Sequence, residues 1–238
     1  MNSKSMNDAL NFLRDKYACP EGVIETGAEY ALLRMPDGQT VNLLPWRVER
    51  RITELKKIID GGTLEHVSTF RFASFRPDGD LARILARELD LAIFLSGSTI
   101  SRIFTVTAPG GKSCNAIFRL ANGMSGCVEC GITLPAGAAP VDRHEIIAMR
   151  GVASDRTVDT QVPQESIYQW TADGIKTYTD VDTELFGLSN DEIWVVRAAY
   201  AVLMNPALRE EWNNASREII RITAAALESG KTGQPVSL

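Results

Sequence analysis

Apolar positions along the 238-residue chain recur at helical spacing, then at period two, then at helical spacing again. Leu10, Leu13 and Tyr17 share one side of a short helix over Asn7 to Tyr17, which Cys19-Pro20-Glu21-Gly22 stops. Glu29 to Met35 and Thr40 to Leu44 read as two strands. Between them Pro36 sets φ and Gly38 accepts a positive φ, which makes a hairpin turn. Val48, Ile52, Leu55 and Ile59 predict a helix over Trp46 to Ile59, closed by Gly61-Gly62. Val67 to Phe75 is a strand with Phe70 and Phe72 on one face. Leu81 to Leu95 is a helix whose core side is Leu81, Ile84, Leu85, Leu89 and Ala92.

Beyond Ile100 the period becomes two. Strands are predicted over Ile100 to Thr107, Asn115 to Ala121, Gly126 to Leu134, His144 to Met149, Ile167 to Thr171 and Lys176 to Asp180. Pro109-Gly110-Gly111, Asn122-Gly123 and Asp173-Gly174 are tight turns, so successive strands pair antiparallel. Two helices close the chain. Ser189 and Glu192 form a capping box for the first; Asn205 and Pro206 start the second, and Gly230 is placed just past its end. Leu208, Trp212, Ala215, Ile219, Ile222 and Ala226 make one apolar stripe that packs on the sheet. The expected fold is α+β: a largely antiparallel, mixed, open-faced sheet of about six strands with helices packed on one face, and no Rossmann domain. Residues 1–45 read as a helix-and-hairpin extension and residues 46–238 as the main domain.

Composition narrows the classes of function. Hydrophobic residues make up 45% and charged residues 23% of the chain, with a net charge of −5. Such a surface has no basic stripe, which argues against nucleic acid as a partner. No run reaches the ~18 apolar residues of a membrane span, and the first residues carry Lys4, Asp8 and Arg14 rather than an apolar leader. A cytoplasmic location, away from membranes, is the expectation. The 4 cysteines do not amount to a disulfide framework in so long a chain.

Several motifs are weaker than they look. Gly110-Gly111-Lys112-Ser113 resembles the end of a phosphate-binding loop, but Val106 stands where the first glycine belongs and a strand follows instead of a helix. Cys127 and Cys130, three apart in a strand, point to opposite faces, and no second ligand pair stands at zinc spacing. Of the two histidines, His66 and His144, the latter lies among Asp142, Arg143 and Glu145 and is the better candidate for a site. On the Leu81–Leu95 helix, Arg83, Arg87, Asp90 and Phe94 stand in one row at i, i+4, i+7 and i+11. By pattern alone that row is a solvated face with an Arg87–Asp90 pair.

The order of elements resembles the C-terminal domain of the Gfo/Idh/MocA oxidoreductases, the glucose-fructose oxidoreductase and inositol dehydrogenase group. The resemblance rests on Arg50-Arg51 through Leu55-Lys56-Lys57-Ile58-Ile59-Asp60-Gly61-Gly62 followed by the strand Val67 to Phe72. It also rests on Leu89-Asp90-Leu91-Ala92-Ile93-Phe94-Leu95-Ser96-Gly97, on Phe118-Arg119-Leu120-Ala121-Asn122-Gly123 followed by Gly126, on Glu145 to Gly151, and on Ser229-Gly230-Lys231. These pieces cover Trp46 to Val236.

The departures from that pattern shape the functional expectation. The family implies a Rossmann domain that binds a nicotinamide cofactor through a glycine-rich turn. Here residues 1–45 are too few for it, and neither G-x-G-x-x-G nor the family's Glu-Lys-Pro tripeptide occurs. Aligned on Asp90, Arg83 stands where the family has its catalytic aspartate and Arg87 where it has its histidine. An arginine stays protonated and cannot act as a base. The resemblance therefore implies a non-catalytic relative, with no catalytic, cofactor or metal residues. It would be a structural, ligand-binding or partner subunit whose remnant pocket, lined by Arg83, Arg87, Asp90 and His144, suits a sugar-like or anionic small molecule. The competing expectation is an enzyme subunit acting on a sugar or sugar acid, its nucleotide-binding domain supplied by a separate chain. The family's use of the open sheet face implies a homodimer, with Val128, Cys130, Ile132 and Leu134 as the uncovered apolar line.

Overall fold

A computed structural model describes residues 2–27, 30–62, 64–155, 167–171, 174–178 and 186–238. In chain order the described elements begin with α1 (Ser3–Tyr17), β1 (Val23–Thr26), β2 (Ala31–Arg34), β3 (Thr40–Asn42), a 3₁₀ turn (Pro45–Val48) and α2 (Arg50–Asp60). Then come β4 (Val67–Phe75), α3 (Leu81–Ser96), β5 (Ile100–Thr107), β6 (Ser113–Leu120), β7 (Ser125–Gly131), β8 (Val141–Ala148) and β9 (Gly151–Ser154). The chain closes with β10 (Ile167–Thr171), β11 (Gly174–Tyr178), α4 (Asn190–Met204), α5 (Ala207–Thr232) and β12 (Val236–Ser237). The fold is α+β. The chain forms two compact units, one of Met1–Val48 with Thr157–Asn213 and a second of Glu49–Arg156 with Asn214–Leu238.

In the first unit β1, β2 and β3 form an antiparallel sheet in that order. Both of its edges are closed by an asparagine side chain. Asn7 on α1 accepts from Ile24 N–H at 2.8 Å and donates to Ile24 C=O at 2.9 Å. Asn213 on α5 accepts from Asn42 N–H and donates to Thr40 C=O, both at 3.0 Å. An amide offers a donor and an acceptor, so it satisfies an edge that would otherwise remain open for pairing. The capping box of α4 forms as its sequence predicts, Ser189 and Glu192 bonding each other's backbone.

The second unit is built on a seven-stranded sheet in the order β12-β5-β6-β7-β4-β8-β9. All its pairs are antiparallel except β4–β7, because α3 and the β5–β6 hairpin intervene before β7 returns beside β4. One sheet face carries the core: Phe70 and Phe72 of β4, Val128 and Cys130 of β7, and Ile146 of β8 are all fully buried. Helix α3 packs on β4 and β7 through Leu85, Leu89 and Ala92 as its period predicts. Gly126 permits the close approach of β6 and β7, since a Cβ there would lie 2.4 Å from the Phe118 ring. The outer edge of β5 is closed by β12 and by Ser229, whose Oγ accepts from Thr105 N–H at 3.0 Å.

Two expectations are corrected. Helix α5 does not end before Gly230 but runs to Thr232, closed by Gly233 at φ +66°. Gly230 is inside it because a Cβ there would meet Thr107 Oγ1 at 2.5 Å. The uncovered apolar line is not Val128 and Cys130, which α3 helps to bury; Ile132 and Leu134 lie past the end of β7. The exposed face of this sheet is the opposite one, where Ile117 is 54% and Val106 56% accessible and Arg102 and Arg119 are exposed. Among the described residues no helix is long and apolar enough to cross a membrane.

Candidate functional site

The densest chemistry of the second unit is a buried ionic network where α2, α3 and β8 meet. Helix α3 starts at Asp80, whose side chain accepts from Ala82 N–H at 2.9 Å, and its apolar stripe faces the sheet. Glu88 sits inside that stripe, one turn after Ile84 and one turn before Ala92, and is fully buried. On β8, period two sends Asp142, His144 and Ile146 to the covered side. The β4 register sets Ser74 opposite Asp142 and Phe72 opposite His144. The Phe72 ring meets the His144 imidazole edge-on at 4.9 Å.

His144 is held by two carboxylates. Its Nε2 donates to Glu88 Oε2 at 2.9 Å and its Nδ1 to Asp155 Oδ2, while Asp155 Oδ1 accepts from the His144 backbone N–H at 2.8 Å. All three side chains have zero accessibility. Burial alone would lower the imidazole pKa, but the Glu88 charge and the hydrogen bonds to Asp155 and Glu88 push it up to about 9. Both ring nitrogens then carry protons that are donated to carboxylates. No lone pair is left to accept a proton, so this histidine is not a base despite its resemblance to a catalytic relay.

Three arginines complete the network. Arg87 donates from Nη1 to Glu88 Oε1 at 2.6 Å and to Asp142 Oδ1 at 3.2 Å, and from Nη2 to Glu49 Oε1 at 3.1 Å. Arg51 reaches Glu49 and Asp142 at 2.9 Å each, and Asp155 at 3.4 Å. Arg76 donates to Asp142 Oδ2 at 3.0 Å, and Ser74 Oγ to Asp142 Oδ1 at 2.8 Å. Burial would raise the Asp142 carboxyl, but Arg87, Arg76 and Arg51 outweigh it and hold it far below the usual carboxylate range. Glu88 is likewise held down against burial by Arg87 and His144. Glu49, Glu88, Asp142 and Asp155 thus face Arg51, Arg76, Arg87 and His144, and the charges balance only while His144 is protonated.

Of the residues singled out in the sequence, Arg87 and His144 are brought together through Glu88. Asp90 is buried on α3. Arg83 stands apart, 61% accessible, with Nε 3.9 Å from Asp80. Glu49, Arg51, Arg76, Glu88 and Asp155 were not legible as participants. Glu88 carried a signal, since a carboxylate at i+4 from Ile84 and i+7 from Leu81 interrupts an apolar stripe. Asp142 carried another, alternating with His144 and Ile146 along β8. Cys127 and Cys130 diverge as the strand period requires, Cys130 in the core and Cys127 on the opposite face. Gly110 and Gly111, at φ +87° and +69°, form the β5–β6 turn. Among the described residues no group of His, Cys, Asp and Glu could hold a metal.

At the level of sequence, no family model and no curated protein matches the chain. Solved structures do match by shape. A myo-inositol dehydrogenase from Corynebacterium glutamicum superposes with a TM-score of 0.58 at 13% identity, over 82% of this chain and 63% of that one. The scyllo-inositol dehydrogenase of Lactobacillus casei, solved with NAD(H) and scyllo-inositol, gives 0.55 at 15% identity with the same coverage. GenD2 of gentamicin A biosynthesis, solved with NAD, gives 0.62 at 11% identity, over 82% of this chain and 62% of that one. The chain therefore has the fold found in Gfo/Idh/MocA-type dehydrogenases such as the inositol dehydrogenases, and it spans less than two thirds of their length.

Proposed function

We propose that the chain is a non-catalytic homologue of the C-terminal domain of these dehydrogenases, with residues 46–238 as the corresponding part, serving as a structural, ligand-binding or partner subunit in the cytoplasm. The observation that carries this reading is the state of Arg87. It occupies the position of the family's histidine in the resemblance drawn above, and it is committed to Glu49, Glu88 and Asp142 in a buried network. A guanidinium so placed neither accepts a proton nor meets a substrate hydroxyl. Arg83, exposed on the same helix, is the group that a sugar-like or anionic ligand can reach. Scyllo-inositol in the Lactobacillus casei enzyme supports a polyol as the first ligand to try.

A thermal-shift series on the full chain with NAD, NADP, scyllo-inositol, sugar acids and sugar phosphates tests the reading. A ligand at 100 times its Kd adds about 2.7 kcal/mol to stability, which is easily read as a rise in Tm. The expected result is no rise with either dinucleotide. A saturable rise with NAD or NADP would sink the proposal and favour an enzyme completed by a separate nucleotide-binding chain.

The partner in this reading is a second copy, docked through the open sheet face that exposes Ile117 and Val106. Sedimentation velocity should show a dimer. A monomer that persists at the highest soluble concentration would rule this out.

A further inference from the structure

The pair Cys114 and Cys130 is used by neither the ionic network nor the open face. The two residues stand directly opposite each other in the antiparallel β6–β7 register, and their Sγ atoms are 3.4 Å apart. Both are buried, at 7% and 0% accessible, with Cys114 the nearer of the two to solvent. Cys127 and Cys130 point to opposite faces, and the cross-strand register instead brings Cys130 a cysteine 16 residues away. Directly opposed antiparallel residues have Cα atoms about 4.5–5.5 Å apart, within the roughly 4.4–6.8 Å that disulfides span.

The chemistry of the pair is asymmetric in the useful direction. The hydrogen bond from Cys130 lowers the Cys114 thiol, while that bond and burial raise Cys130. Burial raises both Cys19 and Cys127, so Cys114 is the one cysteine of the four whose thiol is shifted down rather than up.

We propose that Cys114 and Cys130 are a dithiol redox site, which a peroxide-class oxidant converts to a cross-strand disulfide. The Cys114 thiolate attacks one peroxide oxygen and the O–O bond breaks, leaving Cys114 as a sulfenic acid and releasing hydroxide, which takes up a proton as water. The Cys130 sulfur then displaces the sulfenic hydroxyl, which leaves as water with the Cys130 proton as the S–S bond forms. Two thiols and one hydrogen peroxide give one disulfide and two waters. The sulfurs lose two electrons and the peroxide oxygens gain them. The product ties β6 to β7 in the sheet layer beneath α3.

The test uses the reduced full chain and stoichiometric hydrogen peroxide, followed by denaturation in a thiol-alkylating reagent and peptide mapping. The mass before alkylation should fall by about 2 Da as two hydrogens are lost. Alkylatable thiols should fall from 4 to two, with Cys19 and Cys127 still reactive and a Cys114–Cys130 cross-linked peptide present. The double variant C19S/C127S should form the same link, and C114S should lose it. The proposal is overturned if the half-buried Cys127 oxidises first, if Cys114 and Cys130 both stay alkylatable, or if Cys114 goes on to sulfinic acid while Cys130 remains free.

Discussion

Replacing Arg87 by methionine should destabilise the protein by about 3–5 kcal/mol, the range seen when one partner of a buried ionic pair is removed. Methionine restores much of the volume but none of the charge. Glu49 and Glu88, at 1% and 0% side-chain accessibility, would then face Asp142 without the guanidinium that now touches all three. The same change one turn earlier is the control. Arg83→Met removes an exposed side chain 3.9 Å from Asp80 and should stay within about 0.5 kcal/mol of the parent. Urea unfolding of the two variants under identical buffer decides the matter. Equal losses would mean that Arg87 is not the keystone of a buried network. Adding Glu88→Gln to Arg87→Met should recover part of the loss, because it removes one of the stranded charges and the two residues are directly coupled.

Stability should also fall as the pH is raised from 6.5 towards 9, by about 3 kcal/mol over the interval. The native imidazole of His144 titrates near 9, against an ordinary value of 6.5. The folded state therefore holds a proton that the unfolded state releases earlier. This contribution is fully present below 6.5 and is lost as the pH passes through 9. A shift of this size multiplied by ~1.36 kcal/mol per pH unit gives the figure. The groups facing the ring are Glu88 from α3, Asp155 after β9 and Phe72 from β4, with Arg51 and Arg87 bonded to the same carboxylates. On the acid side the sign reverses. Glu88 and Asp142 are held below their ordinary range, so their contribution is full above pH about 5 and is lost as the carboxylates are forced to protonate. The maximum should lie between about pH 5 and 6.5. His144→Phe will be less stable throughout, but its profile should be flat between pH 7 and 9. A variant that keeps the parent slope there would assign the loss to another group.

Both losses fall on one network because of how it is assembled. Desolvating so many charges gains little net stability, yet each partner is costly to lose once the others are in place. At this helix Arg87 and both ring nitrogens of His144 are bonded to buried carboxylates.

Much of the fold was legible from local pattern. Leu81, Ile84, Leu85, Leu89 and Ala92 marked α3 and its covered side, and the strand β5 lies where period two placed it. Turn residues located the hairpins because only a few residue types tolerate their backbone angles, as at Gly110 and Gly123. Short pieces without such signals, β1, β9 and β12, were not legible, since a strand of two to four residues shows too little alternation to read.

Local sequence sets the α+β class, the order of the longer elements and the helical row that holds Arg83 and Arg87. All of these are properties of neighbouring residues or of spacing along one element. What those arginines do is set by packing between distant parts of the chain. The bonds that bind Arg87, Arg51 and Arg76 to Asp142 join residues 55, 91 and 66 positions apart. The Cys114–Cys130 contact exists only because the β6–β7 register makes it. Periodicity shows which side of an element is buried, but the choice of partner across the core depends on register and packing, which have no signature in local sequence. Arg83 and Arg87 look equivalent in one helical row, yet one is exposed beside Asp80 and the other is enclosed by carboxylates from elsewhere in the chain.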